Sequence, residues 1–515
     1  MEFIGNLIKE TTRLGYKHVN SQPVEAQKST LEQLLGKARM TDFGIIHKFD
    51  QLLSSDNLEQ DFKIQVPLTD YDSFHDQWLC RSMDGQSNVT WPGRIRYYAR
   101  SSGTSGASSK RIPVSSAMIK QFHRASLQQI AHLNSLDLPG SFYQSKFLIL
   151  GGSTDLSKYG IGQLEGDLSG ILTQNKSLTF LPFSKPGRKI SKIKDWNEKV
   201  ERIVEKAERW NIGAISGVPS WVLLLLERIV AHYGVSTIHD IWPNLTIYTH
   251  GGVFIEPYKE RLDKLFGKPI IYQNTYLASE GYFAYQRDFK SNSMELMTDA
   301  GVYYEFIEEE HFPELRSANL YGIPTLSLSD VVPGKRYALA ISTFSGLWRY
   351  LLGDVIEFTS NDLKSIRIAG RLSHSINICG EHLSEVNMVN AIQETAKLLR
   401  ISVEEFCVYP SRDFERHNWY IGTNQFVNSN QFAAILNERL SMKNDDYAGV
   451  RKYLLKSPKV KALPVEKFYE FMLIRQHYGA QSKFPHVMNS ALAKEWEIFL
   501  TNTEHFRDRY SDKSA

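Results

Sequence analysis

The opening hundred residues carry apolar positions at helical spacing. Leu31, Leu34 and Leu35 fall on one helical face, and Thr30 with Gln33 fits a capping box at the start of such a helix. The proline-punctuated stretch VPLTDYDSF follows, and aromatic, strand-compatible residues then lead into a segment rich in Gly, Ser and Thr. We therefore predict helices first, and then a strand, a loop of small residues and a return to regular structure.

Strand-like and helix-like segments alternate through the middle of the chain. KFLILGGS at 146–153 and the apolar run at 212–216 have the character of buried strands. A capping box at 195–198 heads one helix, and Pro219 and Gly234 suit the first turn and the end of another. This alternation predicts α/β layers around a mixed, partly parallel sheet.

The pattern changes after about residue 294. Apolar and polar residues alternate between Gly and Pro turns up to residue 358, which predicts an antiparallel, β-rich subregion. Beyond Gly370-Arg371, a helical face at 384–399 and two strand-like segments indicate a smaller α+β domain. We therefore predict an α/β protein of two domains, residues 1–372 and residues 373–515.

Composition narrows the class of protein. The 515 residues exceed the roughly 250–300 residues at which single cores stop growing, which also favours two domains. Lys and Arg number 60 against 57 Asp and Glu, and this near balance supplies no field that would favour nucleic acid or an anionic membrane as a partner. Any anionic ligand must therefore be held by local groups.

The cysteine content and the length of the apolar segments indicate in which cellular compartment the protein is expected. Cys80, Cys379 and Cys407 form no CxxC pair, which argues against a disulfide framework and a cysteine zinc site and favours a reducing cytoplasm. The N-terminal stretch MEFIGNLIKETTRLGY lacks the apolar core of a signal peptide, and WVLLLL at 221–226 is too short to span a membrane. We expect a soluble, cytoplasmic protein.

The segment SSGTSGASSK at 101–110 has a composition suited to polyphosphate. Glycines let backbone N–H groups approach phosphate oxygens, hydroxyl groups add donors, and Lys110 adds positive charge. The segment is not a Walker A loop, because Ala107 follows Gly106 and Lys110 precedes Arg111. A flexible Ser/Gly linker has the same composition, so the neighbouring motifs must distinguish the two readings.

Two further segments carry groups that suit a nucleotide and its counter-ion. YLASE at 276–280 combines an aromatic ring that can stack on a purine, a hydroxyl donor, and Glu280, a hard oxygen ligand for a divalent cation. In GLWRYLLGD at 346–354, the carboxylate of Asp354 can accept two hydrogen bonds from a cis-diol such as ribose. Each segment taken alone also fits an ordinary turn.

Together, the three segments resemble the nucleotide motifs of a known family. SSGTSGASSK, YLASE and YLLGD are similar to SSGTSxGxxK, Y-small-small-SE and YRxGD of the plant auxin-responsive Gretchen Hagen family of acyl-acid amido synthetases, in the same order and at comparable separations. That family belongs to the adenylate-forming superfamily of acyl-CoA synthetases, adenylation domains and luciferases. The likeness runs from TDFG at 41–44 to GAQSKFP at 479–485, and it implies a large N-terminal adenylate-forming domain with a smaller, mobile C-terminal domain.

The resemblance implies a role for each matching residue. The nucleotide would be held by residues of the three motifs and of THGGVF, which precedes the second motif: Ser101, Ser102, Gly103, Thr104, Ser105, Lys110, Gly251, Gly252, Tyr276, Ser279 and Asp354. Tyr276 would lie against the adenine, Ser279 would reach the α-phosphate, and Asp354 would hold the ribose hydroxyls. Glu280 would bind magnesium and share the catalytic role with Lys483, which matches the C-terminal-domain lysine that enters the family's active site during adenylation.

The chain departs from the family pattern at three positions. Ala107 replaces a glycine of the first motif, and Leu277 replaces a small residue of the second. Leu351 occupies the arginine position of the third, so a cationic group is missing unless Arg349 or Arg371 substitutes for it.

The resemblance implies a two-step reaction. A small carboxylic acid would be adenylated by ATP with Mg²⁺, and its acyl group would then pass to an amine, expected to be an amino acid. An acyl-CoA ligase of the same superfamily is one alternative. A catalytically silent nucleotide-binding protein, which Leu351 leaves open, is another. We expect a monomer whose partners are these small molecules, and neither nucleic acid nor a membrane.

Overall fold

The computed structural model describes most of the chain, in two units. The described residues are 22–101, 110–176, 181–316, 319–372, 375, 376, 378, 381, 383–412, 415–452, 454–475 and 483–501. Internal contacts assign the chain up to Ser101, Lys110–Val253 and Arg261–Ile368 to the first unit. They assign Phe254–Glu260 and the chain from Ala369 onward to the second unit.

Strands and helices alternate as far as residue 285, and strands dominate from there to residue 371. The strands are β1 (Tyr97–Ser101), β2 (Lys110–Val114), β3 (Lys146–Ile149), β4 (Ser157–Tyr159), β5 (Gln163–Gly166), β6 (Ser184–Lys185), β7 (Ile212–Ser216), β8 (Ile247–Gly251), β9 (Ile271–Leu277), β10 (Tyr282–Tyr285), β11 (Met294–Leu296), β12 (Val302–Glu308), β13 (Arg336–Thr343), β14 (Tyr350–Phe358) and β15 (Ser365–Arg371). The α-helices of this part are α1 (Pro23–Ala38), α2 (Asp42–Ile46), α3 (Phe49–Leu52), α4 (Leu58–Gln65), α5 (Tyr71–Phe74), α6 (Cys80–Met83), α7 (Ser116–His132), α8 (Gly140–Tyr143), α9 (Leu168–Gln174), α10 (Arg188–Ser191), α11 (Trp196–Val204), α12 (Pro219–Tyr233), α13 (Glu256–Leu265) and α14 (Phe312–Arg316).

A mixed sheet of 11 strands organises the first unit. Its order is β12-β13-β14-β15-β11-β10-β9-β8-β7-β3-β6. Strands β6, β3, β7, β8 and β9 are parallel, whereas β10 pairs antiparallel with β9, and β12, β13 and β14 pair antiparallel with one another. Both the parallel and the antiparallel predictions are confirmed, and the β-rich subregion continues the parallel sheet. A second sheet of four strands, β2-β1-β5-β4, includes the predicted strands on either side of the Gly/Ser loop.

Helix boundaries test the capping predictions. Asp195 caps α11 by accepting a hydrogen bond from the Glu198 N–H, and Pro219 and Gly234 lie at the start and end of α12, as predicted. The capping box at Thr30 and Gln33 is wrong, because α1 already begins at Pro23. The Thr30 hydroxyl instead donates to the carbonyl of Ala26 from inside the helix, at 2.7 Å.

Apolar faces that the sequence predicted form the core of the first unit. Leu31, Leu34 and Leu35 are fully buried in a cluster that also holds Phe43 and Trp348, whose rings stack at 5.7 Å. Aromatic rings of this size contribute much of the buried apolar area of a core.

The second unit places helices on both faces of a small sheet. Its elements are β16 (Ser375–Ile376), β17 (Leu383–Ser384), α15 (Glu385–Leu399), β18 (Glu405–Pro410), β19 (His417–Gly422), α16 (Ser429–Lys443), α17 (Asp445–Arg451), β20 (Lys459–Leu463), α18 (Glu466–Ile474) and α19 (Ser490–Thr501). Alternation along β18 sends Phe406 and Val408 into one apolar cluster and Cys407 and Tyr409 into the other. Strands β18, β19 and β20 form the sheet, as expected for an α+β domain.

Among the described residues, no helix is both long and apolar enough to cross a membrane.

Candidate active site

The second motif forms a tight hairpin at the end of β9. The Ala278 N–H donates to the Gly281 carbonyl at 2.9 Å, and the Gly281 N–H donates back at 3.3 Å. Ser279 and Glu280 therefore occupy the tip, and the backbone returns as β10. Glu280 is 8% exposed, so its carboxylate group belongs to a largely buried residue.

The third motif sits on a bulge in β14. Ala340 pairs with Leu351 and Ala338 pairs with Val355, so the residues 352–354 of β14 face a single residue of β13. Gly353 has a φ of +84°, a left-handed conformation that glycine adopts without strain. The bulge redirects the strand locally and leaves Asp354 buried, at 3% exposure.

Hydrogen bonding joins the second and third motifs. The phenol oxygen of Tyr276, on β9, donates to Asp354 Oδ2 at 2.6 Å. The Tyr276 ring packs against Phe283 with a centroid distance of 4.8 Å, which holds the phenol in place. The structure thus brings together two residues that lie 78 positions apart, one expected at the adenine and the other at the ribose.

The glycines of THGGVF lie beside this pair. Strands β8 and β9 run parallel with Gly251 opposite Thr275, and a Cβ at Gly251 would come within 2.5 Å of the Thr275 carbonyl oxygen. Gly252 has a φ of +88° and turns the chain away. Gly251, Gly252 and Tyr276 thus lie at the carboxyl ends of adjacent parallel strands, where open α/β sheets bind their ligands.

Ser101 and Lys110, the first and last residues of the first motif, lie opposite each other at the ends of the antiparallel strands β1 and β2. Ser101 pairs with Lys110, and the Lys110 ammonium lies 5.1 Å from the centre of the Tyr71 ring. The Arg111 N–H donates to the Tyr71 hydroxyl at 2.9 Å, so Tyr71 secures the basic end of the loop. The other predicted loop residues lie outside the described residues: Ser102, Gly103, Thr104 and Ser105.

Leu351 stands where the family motif has an arginine, and the structure shows whether Arg349 can replace that arginine. Arg349 is buried, and its Nη2 lies 2.8 Å from Glu305 Oε1 in an ion pair. Its Nη1 donates to the carbonyls of both Lys63 and Val66, each at 2.6 Å. These partners occupy the guanidinium group of Arg349 inside the protein core. Arg349 therefore does not replace the missing cation, and Arg371 is left as the described candidate.

Two residues near the motifs have distinct environments. Leu277 is 42% exposed, on the opposite side of β9 from Tyr276. His250 directly precedes Gly251 and is buried, and its Nδ1 has no hydrogen-bond partner among the described residues. Burial lowers the pKa of His250 to about 4, so its imidazole is neutral at pH 7.

Lys483, by contrast, lies in the second unit. It is half-buried and immediately precedes Phe484, which packs in the apolar cluster of α18 and α19.

Family models match three parts of the chain. They are described as the GH3 family N-terminal domain, at residues 15–161, the GH3 family central domain, at residues 295–371, and the GH3 family C-terminal domain, at residues 386–491. Together they match more than half of the 515 residues. The chain belongs to the GH3 family. The Gretchen Hagen resemblance is thereby confirmed.

Curated GH3 proteins match shorter segments of the chain. A jasmonoyl-L-amino acid synthetase, GH3.5 of Oryza sativa subsp. japonica, is 29% identical over 205 residues, which are 37% of this chain and 35% of the rice protein. An indole-3-acetic acid-amido synthetase, GH3.4 of Arabidopsis thaliana, is 25% identical over 170 residues, 32% of this chain and 28% of the relative. The matched segments thus span about a third of these GH3 relatives.

Solved structures agree over nearly the whole fold. The GH3.15 acyl acid amido synthetase superposes with a TM-score of 0.76 at 18% identity, over 92% of each chain. A 2-hydroxyisobutyryl-CoA ligase in its postadenylation state has a TM-score of 0.60 at 13% identity, over 94% of this chain and 92% of the ligase. At these identities the likeness is one of fold, and the predicted α/β fold class is confirmed.

Proposed function

We propose that this GH3 protein is an ATP-dependent acyl-acid amido synthetase. It adenylates a carboxylic acid and then joins the acyl group to an amino acid. The observation that carries the proposal is the 2.6 Å hydrogen bond between Tyr276 and Asp354, which unites the second and third motifs at the ligand-binding edge of the sheet. Membership of a family whose curated relatives are amido synthetases supports the same reaction.

The chemistry explains why two steps are needed. A carboxylate cannot expel oxide, so one of its oxygens attacks the α-phosphorus of ATP and releases pyrophosphate. The amine nitrogen then attacks the acyl carbon of the acyl-AMP, forms the amide bond, releases AMP and loses a proton. The protein contributes by positioning the reactants and by placing fixed donors where charge develops.

The residues of the first unit divide the nucleotide between them. In this proposal the loop at residues 101–105, with Lys110 at its end, holds the phosphates, and Ser279 reaches the α-phosphate. Tyr276 lies against the adenine and also orients Asp354, which accepts hydrogen bonds from the ribose hydroxyls. Gly251 and Gly252 lie at and just beyond the carboxyl end of β8, beside the strand that carries Tyr276, and in this proposal they border the adenine.

Glu280 suits magnesium, which prefers hard oxygen ligands. Within the part of the chain that the structure describes, no three His, Cys, Asp or Glu side chains are grouped as a metal centre. Mg²⁺ commonly takes one or two carboxylates from the protein and completes its shell with phosphate oxygens and water, so a single carboxylate such as Glu280 suffices for this proposal. When bound, the ion would neutralise part of the phosphate charge, with Glu280 as its protein ligand.

The C-terminal part carries the catalytic lysine. We place the domain boundary between residues 372 and 373, so that residues 1–372 bind ATP and the acid while residues 373–515 carry Lys483. The division of contacts between Ile368 and Ala369 supports a boundary in this region. Rotation of the C-terminal domain would bring Lys483 to the α-phosphate for adenylation and remove it for amide formation.

The proposal is tested by ATP–pyrophosphate exchange with a panel of acids. The panel should contain indole-3-acetic acid, jasmonic acid and 2,4-DB, which the names of relatives suggest, together with aliphatic and aryl acids. We expect magnesium-dependent exchange with at least one acid. Lys483→Ala should lower it about 10²–10³-fold, because one preorganised cation near the α-phosphate is lost, and Glu280→Ala should abolish the response to magnesium.

Matched controls come from exposed residues of the same charge. Lys494→Ala on α19 and Glu310→Ala after β12 should retain the wild-type exchange rate. Supplying amino acids or coenzyme A to the loaded enzyme then identifies the acceptor, and consumption of the adenylate by coenzyme A alone would replace the amido synthetase by a CoA ligase. ATP binding without exchange on any acid would identify a silent nucleotide-binding protein.

A further inference from the structure

His486 lies three residues after Lys483 and is bound on two sides by carboxylates. Its Nδ1 is 2.6 Å from Glu385 Oε1, and its Nε2 is 3.8 Å from Glu405 Oε2. The ring also stacks on Phe406 with centroids 4.0 Å apart. The His486 side chain is 10% exposed, so these contacts form within the second unit and are largely shielded from water.

The backbone around His486 is tied to the edge of a sheet. The Val408 N–H, on β18, donates to the His486 carbonyl at 2.7 Å, and the Met488 N–H donates to the Val408 carbonyl at 3.0 Å. Val487 and Val408 form an isolated parallel bridge. The chain after Lys483 is therefore hydrogen-bonded to β18 around Val408.

Phe484 provides a second anchor, on the other side of the lysine segment, defined as residues 483–488. Its ring lies 4.8 Å from that of Phe468 and 5.5 Å from that of Trp496. Phe484 is thus inserted into an aromatic cluster, and His486, two residues later, lies between two glutamates. A lysine next to two such anchors has its Cα position set by the packing of this unit.

We propose that His486 is a positioning residue for Lys483, holding the lysine segment on β18 through Glu385 and Glu405; this proposal rests on the function proposed above. The sequence carries no sign of this role, because Glu385 and Glu405 lie 101 and 81 residues before His486. Positioning matters here because misplacing a catalytic group by about 1 Å can cost on the order of 10²-fold in rate.

Charge makes the anchor stronger than a neutral hydrogen bond. Glu385 lies at the first turn of α15, and Glu405, on β18, also accepts a 2.6 Å hydrogen bond from the Tyr258 hydroxyl. Burial alone would lower the pKa of His486, but the hydrogen bonds and charges of Glu385 and Glu405 raise it to about 9. The imidazolium therefore donates from Nδ1 to Glu385 at neutral pH, while its charge pairs with Glu405 across 3.8 Å. The buried Cys407 thiol stays protonated because burial raises its pKa.

His486→Gln in the full-length protein tests the proposal with two measurements. Hydrogen–deuterium exchange should show faster exchange of the lysine segment, by about tenfold or more, while β19 keeps wild-type protection. ATP–pyrophosphate exchange should fall about 10- to 100-fold with an unchanged KM for ATP. Aminolysis of chemically synthesised acyl-adenylate, which does not use Lys483, should stay within about twofold of wild type.

His417→Gln is the matched control. His417 is a second buried histidine of this unit, 2.8 Å from Glu381, and it lies on β19 outside the lysine segment. Its substitution should lower stability but leave the segment's deuterium exchange and the adenylation rate as in wild type. Adding His486→Gln to Lys483→Ala should cause no further loss of adenylation, since both changes act through the same lysine.

Unchanged deuterium exchange of the segment in His486→Gln would overturn the positioning role, and so would equal losses in both half-reactions or additive losses in the double variant. Absence of pyrophosphate exchange by the wild type with every acid would instead overturn the proposed function. The deuterium exchange data would still decide whether His486 anchors the segment, so the two failures are distinguishable.

Discussion

Tyr276 has two functions that belong to different parts of one side chain. Its ring packs on Phe283, and its hydroxyl donates to Asp354. A hydrogen bond to a carboxylate contributes about 1.5–3 kcal/mol, roughly twice a neutral one. In the nucleotide site we propose, Tyr276 therefore sets the orientation of the carboxylate that receives ribose.

Tyr276→Phe separates these two functions. The ring and its packing remain, but Asp354 loses a donor, so we expect the KM for ATP to rise about tenfold, which corresponds to about 1.4 kcal/mol. Steady-state pyrophosphate exchange measures this change. Tyr304→Phe, which removes a buried hydroxyl that donates to the Met297 carbonyl, should leave the KM for ATP unaltered. A wild-type KM in Tyr276→Phe would show that the bond has no part in binding.

At the scale of elements, the site depends on an irregularity in β14. The bulge at residues 352–354 lets a strand that is otherwise buried in the sheet present Asp354 to Tyr276 of β9. Bulges commonly re-aim side chains next to functional sites. In the third motif, Gly353 thus supplies the left-handed backbone conformation of the bulge, and Asp354 supplies the carboxylate that Tyr276 contacts.

Gly353→Ala tests the requirement for the bulge. No atom lies within 4 Å of a Cβ at this position, so the cost comes from the left-handed backbone, about 1–2 kcal/mol. We expect that stability loss in urea unfolding together with a rise of about tenfold in the KM for ATP, since strain is relieved by flattening the bulge.

Gly334→Ala supplies the control for backbone strain. Gly334 has a φ of +80° and equally open surroundings, but it lies in the turn before β13. The stability loss should be similar, and the KM for ATP should stay at the wild-type value. Equal effects of the two substitutions on KM would refute a specific role for the bulge.

At the scale of the whole molecule, two buried histidines with opposite pKa shifts shape its stability against pH. The pKa of His250, in the first unit, is lowered from 6.5 to about 4, because burial disfavours its charged form. The pKa of His486, in the second, is raised from 6.5 to about 9 by its glutamates, against the opposing effect of burial. Each shift makes folding depend on pH, with opposite sign.

Stability should therefore fall on both sides of neutrality. Between pH 6.5 and about pH 4, His250 is protonated in the unfolded chain but not in the folded chain. The free energy of unfolding therefore falls as pH is lowered through this range. His486 stabilises fully below pH 6.5, and this contribution is lost as pH rises through about 9. One pKa unit corresponds to about 1.4 kcal/mol, so each effect is on the order of 3 kcal/mol in the free energy of unfolding.

Urea unfolding between pH 4 and pH 10 measures both effects. His486→Gln should flatten the alkaline limb alone, and His250→Gln should flatten the acid limb alone. Either limb remaining as steep as in wild type would contradict the environment assigned to that histidine.

Much of this organisation follows from local patterns in the sequence. Apolar runs that alternate with helical segments predicted the parallel strands, and period-2 alternation predicted the antiparallel ones. The ends of α12 were predicted from Pro219 and Gly234. Thr30 shows the limit of local rules: its side chain can cap a helix or bond back within one, and Pro23 decides between them by starting α1 earlier.

The residue types of the site could likewise be predicted from short motifs, because the chemical properties of Gly, Ser, Lys, Glu and Asp do not depend on their position in the chain. The motifs could not predict which of these residues contact one another in the folded protein. The Tyr276–Asp354 hydrogen bond, the Arg349–Glu305 ion pair and the contact of His486 with Glu385 all join residues far apart in the chain. Such contacts arise from strand order, bulge and packing, which depend on every element at once, whereas periodicity and motif chemistry depend only on near neighbours.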